Sequence, residues 1–200
     1  MLPNVFPGAG ETPEYNTVDA ALWYVEAWRA YVEATKDHYS LQKLFPIMQG
    51  ILEKYQKGTR FRIHMDPDDG LFFAGETGTQ LTWMDAKIGD WVVTPRIGKP
   101  VEINALWFNA HKVMEDFSRR LGFLFAACEM SAEKIKRAFS RFTDKQSGGL
   151  FDVIDGPEGN DNSVRPNQIL AVSLAHRPLP FETQKRVVIL CKQHLLCSLP

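Results

Sequence analysis

The chain has 200 residues, 44% hydrophobic and 12% aromatic, which is enough to bury a core in one domain or two small ones. Its 23 basic and 24 acidic residues leave a net charge of −1 with no run of like sign, so nucleic acid is not an expected partner. No apolar run reaches the length of a membrane span, and the three cysteines have no CxxC spacing. Prolines interrupt the opening MLPNVFPGAGE where a secretory signal would have its apolar stretch, so a cytoplasmic setting without membrane contact is expected.

Residues 1–16 are broken by prolines and glycines and predict a loop, with Phe6 and Tyr15 packed against something. Thr17 offers a capping hydroxyl and Asp19 a first-turn carboxylate. Val18, Ala21, Leu22, Val25, Trp28 and Val32 then recur at three and four, predicting an amphipathic helix from Thr17 to about Ala34. Leu44, Met48, Ile51, Leu52 and Tyr55 mark a second helix, with Pro46 in its first turn, where a missing N–H costs little, and Gly58 at its end. Around residues 60–74 the period changes to two on either side of DPDDG, which predicts a small β-hairpin.

The segment Gly78–Trp107, GTQLTWMDAKIGDWVVTPRIGKPVEINALW, mixes three tryptophans, three carboxylates, two lysines, an arginine and an asparagine. That is too polar for a plain core element and too aromatic for a solvated linker, and it reads as the floor of a binding site. From Gly75 to Lys99 it has no sustained period, which favours a functional loop. After Pro100, Ile103, Leu106, Trp107, Ala110, Val113, Met114, Phe117 and Leu121 give the longest amphipathic pattern, closed by Gly122. Ser131 is placed as the cap of a further helix through Ile135, Ala138, Phe139 and Phe142. Gly148–Asp155 reads as a turn with a possible strand, and residues 156–167 as a polar loop. Pro166–Leu174 and Glu182–Leu195 read as two last helices. The expectation is a mainly α chain of six helices in three pairs, 17–57, 101–143 and 166–195, with loops gathered at one rim.

Three polar-aromatic clusters fall at helix starts, where free N–H groups suit hydroxyl-rich ligands: Tyr15, Asn16 and Asp19; Trp83, Asp85, Lys87 and Trp91 with Glu102 and Asn104; and Asn167 with Gln168. Capping alone could account for Thr17 and Asp19, the helix dipole for Glu102, and ordinary first-turn chemistry for Asn167 and Gln168. Asp85, between Trp83 and Lys87 in a loop, has no such explanation and reads as ligand-facing. Trp107 lies on an apolar helical stripe and reads as core. Trp83 and Trp91 lie outside any period and suit stacking on the C–H face of a sugar ring. His38, His64, His111, His176 and His194 are scattered without ligand spacing, so no metal is expected, and Cys128 and Cys191 read as core residues. No nucleophile elbow, P-loop or dinucleotide fingerprint is present, and no cofactor is expected.

Taken together, YNTVDAALWYVEA (15–27), the stretch from DGLFFAG through to NALWFNA (69–110) and VRPNQILAVSLAHRPL (164–179) resemble the glucosidase domain of bacterial and archaeal glycogen debranching enzymes, the amylo-alpha-1,6-glucosidase family. The resemblance covers nearly the whole chain in order. It implies an (α/α)6 barrel whose rim loops hold the glucose stub of an α-1,6 branch point and hydrolyse it with inversion, with an α-glucan as ligand. Three helical pairs would make about half of that barrel, so the chain is expected to be a single partial domain. Inverting hydrolysis needs two carboxyl groups roughly 6.5–9.5 Å apart. The resemblance puts the acid in a WGRD-like motif upstream and the base near the far C-terminus, and neither motif occurs in this sequence. SLAHRPL also departs from the SLPHSLL that the resemblance implies, at Ala175, Arg177 and Pro178. Two readings follow: a portion of a debranching glucosidase whose catalytic pair and the rest of the barrel come from another part of the protein or from another chain, or a truncated, non-catalytic module that at most binds α-glucan.

Overall fold

The computed structural model describes residues 2–4 and 8–197, so the packing expected of Phe6 lies outside the described residues. About half of the protein is helical, and its strands form small antiparallel sheets. Helices α1 (Ala20–Thr35) and α2 (His38–Lys57) are followed by a hairpin of β1 (His64–Met65) and β2 (Phe72–Phe73), paired His64 to Phe73 as the alternation around DPDDG predicts. A second hairpin, β3 (Lys87–Ile88) and β4 (Trp91–Val92), leads through β5 (Lys99–Pro100) into α3 (Val101–Arg120) and α4 (Ala126–Phe139). Strands β6 (Val153–Gly156) and β7 (Gly159–Asp161) join β5 in a three-stranded sheet. A 3-10 turn at Pro166–Ile169, the single-turn α5 (Leu170–Ser173) and α6 (Phe181–Leu195) complete the described chain.

Several sequence expectations move. Helix α1 begins at Ala20 with Asp19 as its N-cap; Thr17 instead donates its hydroxyl to the Asp19 carboxylate. Helix α2 starts at His38, more than a turn earlier than a first turn holding Pro46 would allow, because Asp37 accepts the Ser40 N–H at 3.0 Å and caps it. Pro46 therefore lies inside the helix. It is tolerated there because it and Gln42, whose carbonyl loses its N–H partner, both face solvent. Ser131 lies within α4 and does not cap it. The polar stretch after Asp155 is not all loop, since Gly159–Asp161 closes a strand pair. The helix expected over Pro166–Leu174 splits into a 3-10 turn and one α turn.

Helix α3 is the hub: it contacts α1, α2, α4 and α5, and nearly all of its residues are buried. Its apolar residues form one amphipathic stripe, yet Glu102, Asn104, Asn109, His111, Glu115 and Ser118 outside that stripe are buried too, because neighbours cover the helix on most sides. Trp107 is fully buried with Phe72 at 4.9 Å and Tyr55 at 6.4 Å between ring centroids, and its indole N–H donates to Gly70 O at 3.2 Å. Asn104 ties the same helix to the first hairpin, accepting Phe72 N–H at 2.6 Å and donating to Phe72 O and Pro100 O. Lys99, buried at the start of α3, is held by Asp66, Asp69 and Asp155 at 2.7–2.8 Å. Burial pulls its ammonium down in pKa, but the three carboxylates outweigh this and the net shift is upward.

Large apolar side chains remain exposed on α1 (Trp23, Tyr31), on α2 (Tyr39, Ile47) and on α6 (Phe181, Val188, Ile189). No helix among the described residues is long and apolar enough to cross a membrane.

His111 is fully buried in α3, edge-on to Trp107 at 4.3 Å, and neither ring nitrogen has a hydrogen-bond partner among the described residues. Burial pushes its pKa down to about 3, so it folds as the neutral ring. The unfolded chain binds its proton below about pH 6.5 and the folded chain does not. Stability should therefore fall between pH 6.5 and 3 by up to ~1.4 kcal/mol per unit from this residue. Denaturant unfolding of His111→Phe across that range should show a shallower loss than the parent; equal slopes would show that His111 is not held neutral.

Candidate functional site

The segment that opens the site is anchored at both ends and free in the middle. At its start Leu81 accepts the Val18 N–H at 2.9 Å, and Tyr55 OH donates to Val18 O at 3.1 Å, so the N-terminal cluster is pinned beside it. At its end β5 pairs with β6. Gly98 has a φ of 133°, and a Cβ there would lie 2.7 Å from Ile154 O, so only glycine lets the two strands approach this closely. Between these anchors the β3–β4 hairpin projects outward, with Trp83 56% and Trp91 61% exposed.

Beneath the hairpin lies a buried ion-pair cluster. Arg96 donates through Nε to Asp152 Oδ2 at 2.8 Å and through Nη2 to Asp152 Oδ1 at 3.0 Å. The same guanidinium reaches both oxygens of Glu102, with Nη2 to Oε2 at 2.7 Å, and donates to Thr82 Oγ1 at 3.2 Å. Asp152 also accepts from Arg165 at 2.8 Å and from Asn167 Nδ2 at 2.7 Å. The Asn167 carbonyl in turn accepts the Trp83 indole N–H at 2.8 Å. An exposed aromatic is thus oriented from below by a fully hydrogen-bonded polar core. Burial pulls the Arg96 pKa down, yet the two carboxylates outweigh it and raise the net value. Burial raises the Glu102 carboxyl above the ordinary range, with Arg96 opposing.

The structure sorts the sequence candidates into two groups. Trp83, Asp85, Lys87 and Trp91 share the exposed hairpin and its approach; Tyr15 and Asn16 are half-buried, and Asp19 stands at the N-cap position of α1 with its carboxylate turned to the Thr17 hydroxyl and no side-chain capping bond. The Arg60 guanidinium lies 5.7 Å from the Tyr15 ring centre, and the buried Asn16 Oδ1 has no partner among the described residues. The second group is turned inward. Glu102 is closed by Arg96, Asn104 by backbone, Asn167 by Trp83 and Asp152, and Gln168 by the Leu150 N–H at 3.1 Å. These four are not solvent-facing contacts, because every one lies in the helix-start layer that the loops cover. No local sequence pattern marks Arg96, Asp152 and Arg165 as partners of one another. A visible signal was Asp152 itself, a carboxylate set among apolar neighbours in LFDVI, which demands a cationic partner. Among the described residues no group of three His, Cys, Asp or Glu is placed to hold a metal ion.

The family model for amylo-alpha-1,6-glucosidase matches residues 1–199. The chain belongs to the amylo-alpha-1,6-glucosidase family. Among curated relatives, it is similar to the glycogen debranching enzyme of Saccharomyces cerevisiae, 26% identical over 183 residues. That match takes in 64% of this chain and 12% of the yeast protein, so the chain spans a small part of its relative's length. Within the family match fall both the exposed tryptophans and the ion-pair cluster beneath them.

Arg96→Met should destabilise the protein by about 3–5 kcal/mol, since it leaves the buried Glu102 without a cation and Asp152 with Arg165 as its remaining one. Asp85→Ala, an exposed loop change, should stay within about 0.5 kcal/mol of the parent. Urea unfolding of the two variants side by side checks both figures, and an Arg96→Met midpoint equal to the parent's would remove the cluster from the account of the fold.

Proposed function

We propose that this chain supplies the substrate-binding part of an amylo-alpha-1,6-glucosidase, which hydrolyses α-1,6-linked glucose at glycogen branch points with inversion. The observation that carries the reading is the Trp83–Asn167–Asp152 relay within a chain matched end to end by the family: a flat aromatic face is presented to solvent in a fixed orientation, next to the exposed carboxylate of Asp85. A glucosyl ring offers C–H groups to such a face and hydroxyls to such a carboxylate. In this reading Trp83, Trp91, Asp85 and Lys87 touch the sugar, and Tyr15, Asn16 and Asp19 line the adjoining rim. Glu102, Asn104, Asn167 and Gln168 hold the floor in place.

The fold reading is an arc of an (α/α)6 barrel. Its support is that α3 touches α1 and α5 as well as α2 and α4, the set of neighbours an inner helix has in a ring of hairpins. The exposed apolar faces of α1 and α6 then suit further hairpins, contributed by the rest of the domain on the same or another chain.

Hydrolysis needs a carboxylic acid and a carboxylate free to face the scissile bond. Glu102 and Asp152 are each locked onto Arg96, so neither is free for that work. This favours a second reading for the 200-residue protein by itself, a glucan-binding module without turnover. Incubated with a branch-point limit dextrin, the purified protein should release no glucose. Release abolished by Asp85→Ala would overturn that expectation and make Asp85 catalytic. Trp91→Ala, which removes no hydrogen bond, should weaken glucan retention in affinity electrophoresis with an unchanged melting temperature.

A further inference from the structure

A groove of about 570 Å³ runs between the segment after β4 and the β6–β7 hairpin, and none of the sugar contacts assigned above lies in it. Its size falls in the range of roughly 300–1,000 Å³ usual for small-molecule sites. One wall is apolar. Past the end of β4 the backbone bends at Val93 and Thr94, leaving Val93 and Pro95 exposed while Val92 and Arg96 are buried. Trp91 belongs to the hairpin platform, and Val93 and Pro95, two and four residues further along the chain, line the groove.

The opposite wall is polar. Glu158 and Asn162 are exposed, with no side-chain hydrogen bond among the described residues, and Arg165 lies at the base. Arg165 commits Nη1 to Asp152 and Asp161, at 2.8 and 2.6 Å, and its Nε and Nη2 donate to no described group. Its charge is already matched by those two carboxylates, which makes the groove a poor site for an anion. A groove with an apolar face on one side and unpaired donors and acceptors on the other suits a neutral, hydroxyl-rich chain. A branch-point substrate has such a part, because the glucose stub is joined to a polymer that must lie outside the stub's own pocket.

We infer that this groove binds the linear α-1,4-linked glucan that carries the branch, with Val93 and Pro95 under its sugar faces and Glu158, Asn162 and Arg165 on its hydroxyls. The inference rests on the glucosidase reading. Arg165 also joins groove and platform mechanically, since Asp152 binds Arg165 directly and reaches Trp83 through Asn167.

The test is calorimetric titration of the 200-residue protein with maltohexaose, which is linear, and with isomaltose, which carries only the α-1,6 link. The double variant Glu158→Ala/Asn162→Ala is compared with Trp83→Ala, and backbone amide exchange is followed on the unmodified protein. Maltohexaose should bind, should protect amides of residues 156–162, and should bind at least ten-fold more weakly to the double variant, whose isomaltose binding stays unchanged. Maltohexaose binding that the double variant leaves intact, or protection confined to residues 83–91, would overturn the groove assignment. So would binding of isomaltose without maltohexaose, which would leave the glucosyl pocket standing. Binding of neither sugar would overturn both. Should the double variant fail to fold, the exchange pattern of the parent protein decides alone.

Discussion

One guanidinium holds the site together. Arg96 comes from an irregular loop, Glu102 from the first turn of α3, and Asp152 from the entrance to β6, and all three side chains are almost completely buried. No one of these segments would keep its position without the others, since a buried charge left unpaired costs several kcal/mol. The cluster therefore acts less as a source of net stability than as a condition on geometry: the loop can be covered only in the register that brings the charges together. Thr82, Arg165 and Asn167 use up the remaining donors and acceptors, so the network is satisfied on every side.

Around this point the helices and hairpins divide the work. Helix α3 supplies the rigid body, with Trp107 and its neighbours in the core and Asn104 reaching back to the first hairpin. Lys99, gathered by Asp66, Asp69 and Asp155, fastens the DPDDG turn and the β6–β7 hairpin to the same strand that enters α3. The projecting segment needs little packing of its own because its base is fixed from three directions, and Trp83, held by Asn167, stays more than half exposed.

Polar residues near the site thus have two distinct fates. Glu102 at the start of α3 and Asp152 at the entrance to β6 are consumed by arginine and serve the scaffold, whereas Asp85 on the projecting loop stays in solvent. The distinction decides which acidic groups remain accessible from solvent. Proximity in sequence to TWMD or PVEIN is not enough; the direction of the backbone at each position selects the role.

The sequence by itself determined the helical character, the first β-hairpin, the extent of α3 and the core status of Trp107, because these follow from local periodicity and turn chemistry. It also carried family membership, in motifs long enough to be specific. Starts that depend on one capping contact were less legible, as Asp37 shows for α2, and so was the β6–β7 hairpin, hidden in a stretch of loop-forming residues. Only the tertiary structure decided the roles of Glu102, Asn104, Asn167 and Gln168, and it alone revealed Arg96 and Asp152 as partners. A first-turn glutamate looks the same in sequence whether it faces water or an arginine. The partner lies 56 residues away for Asp152 and Arg96, and 84 for Trp83 and Asn167. No local pattern encodes contacts at that separation; they exist only once α3 has been covered and the loops have closed over its start.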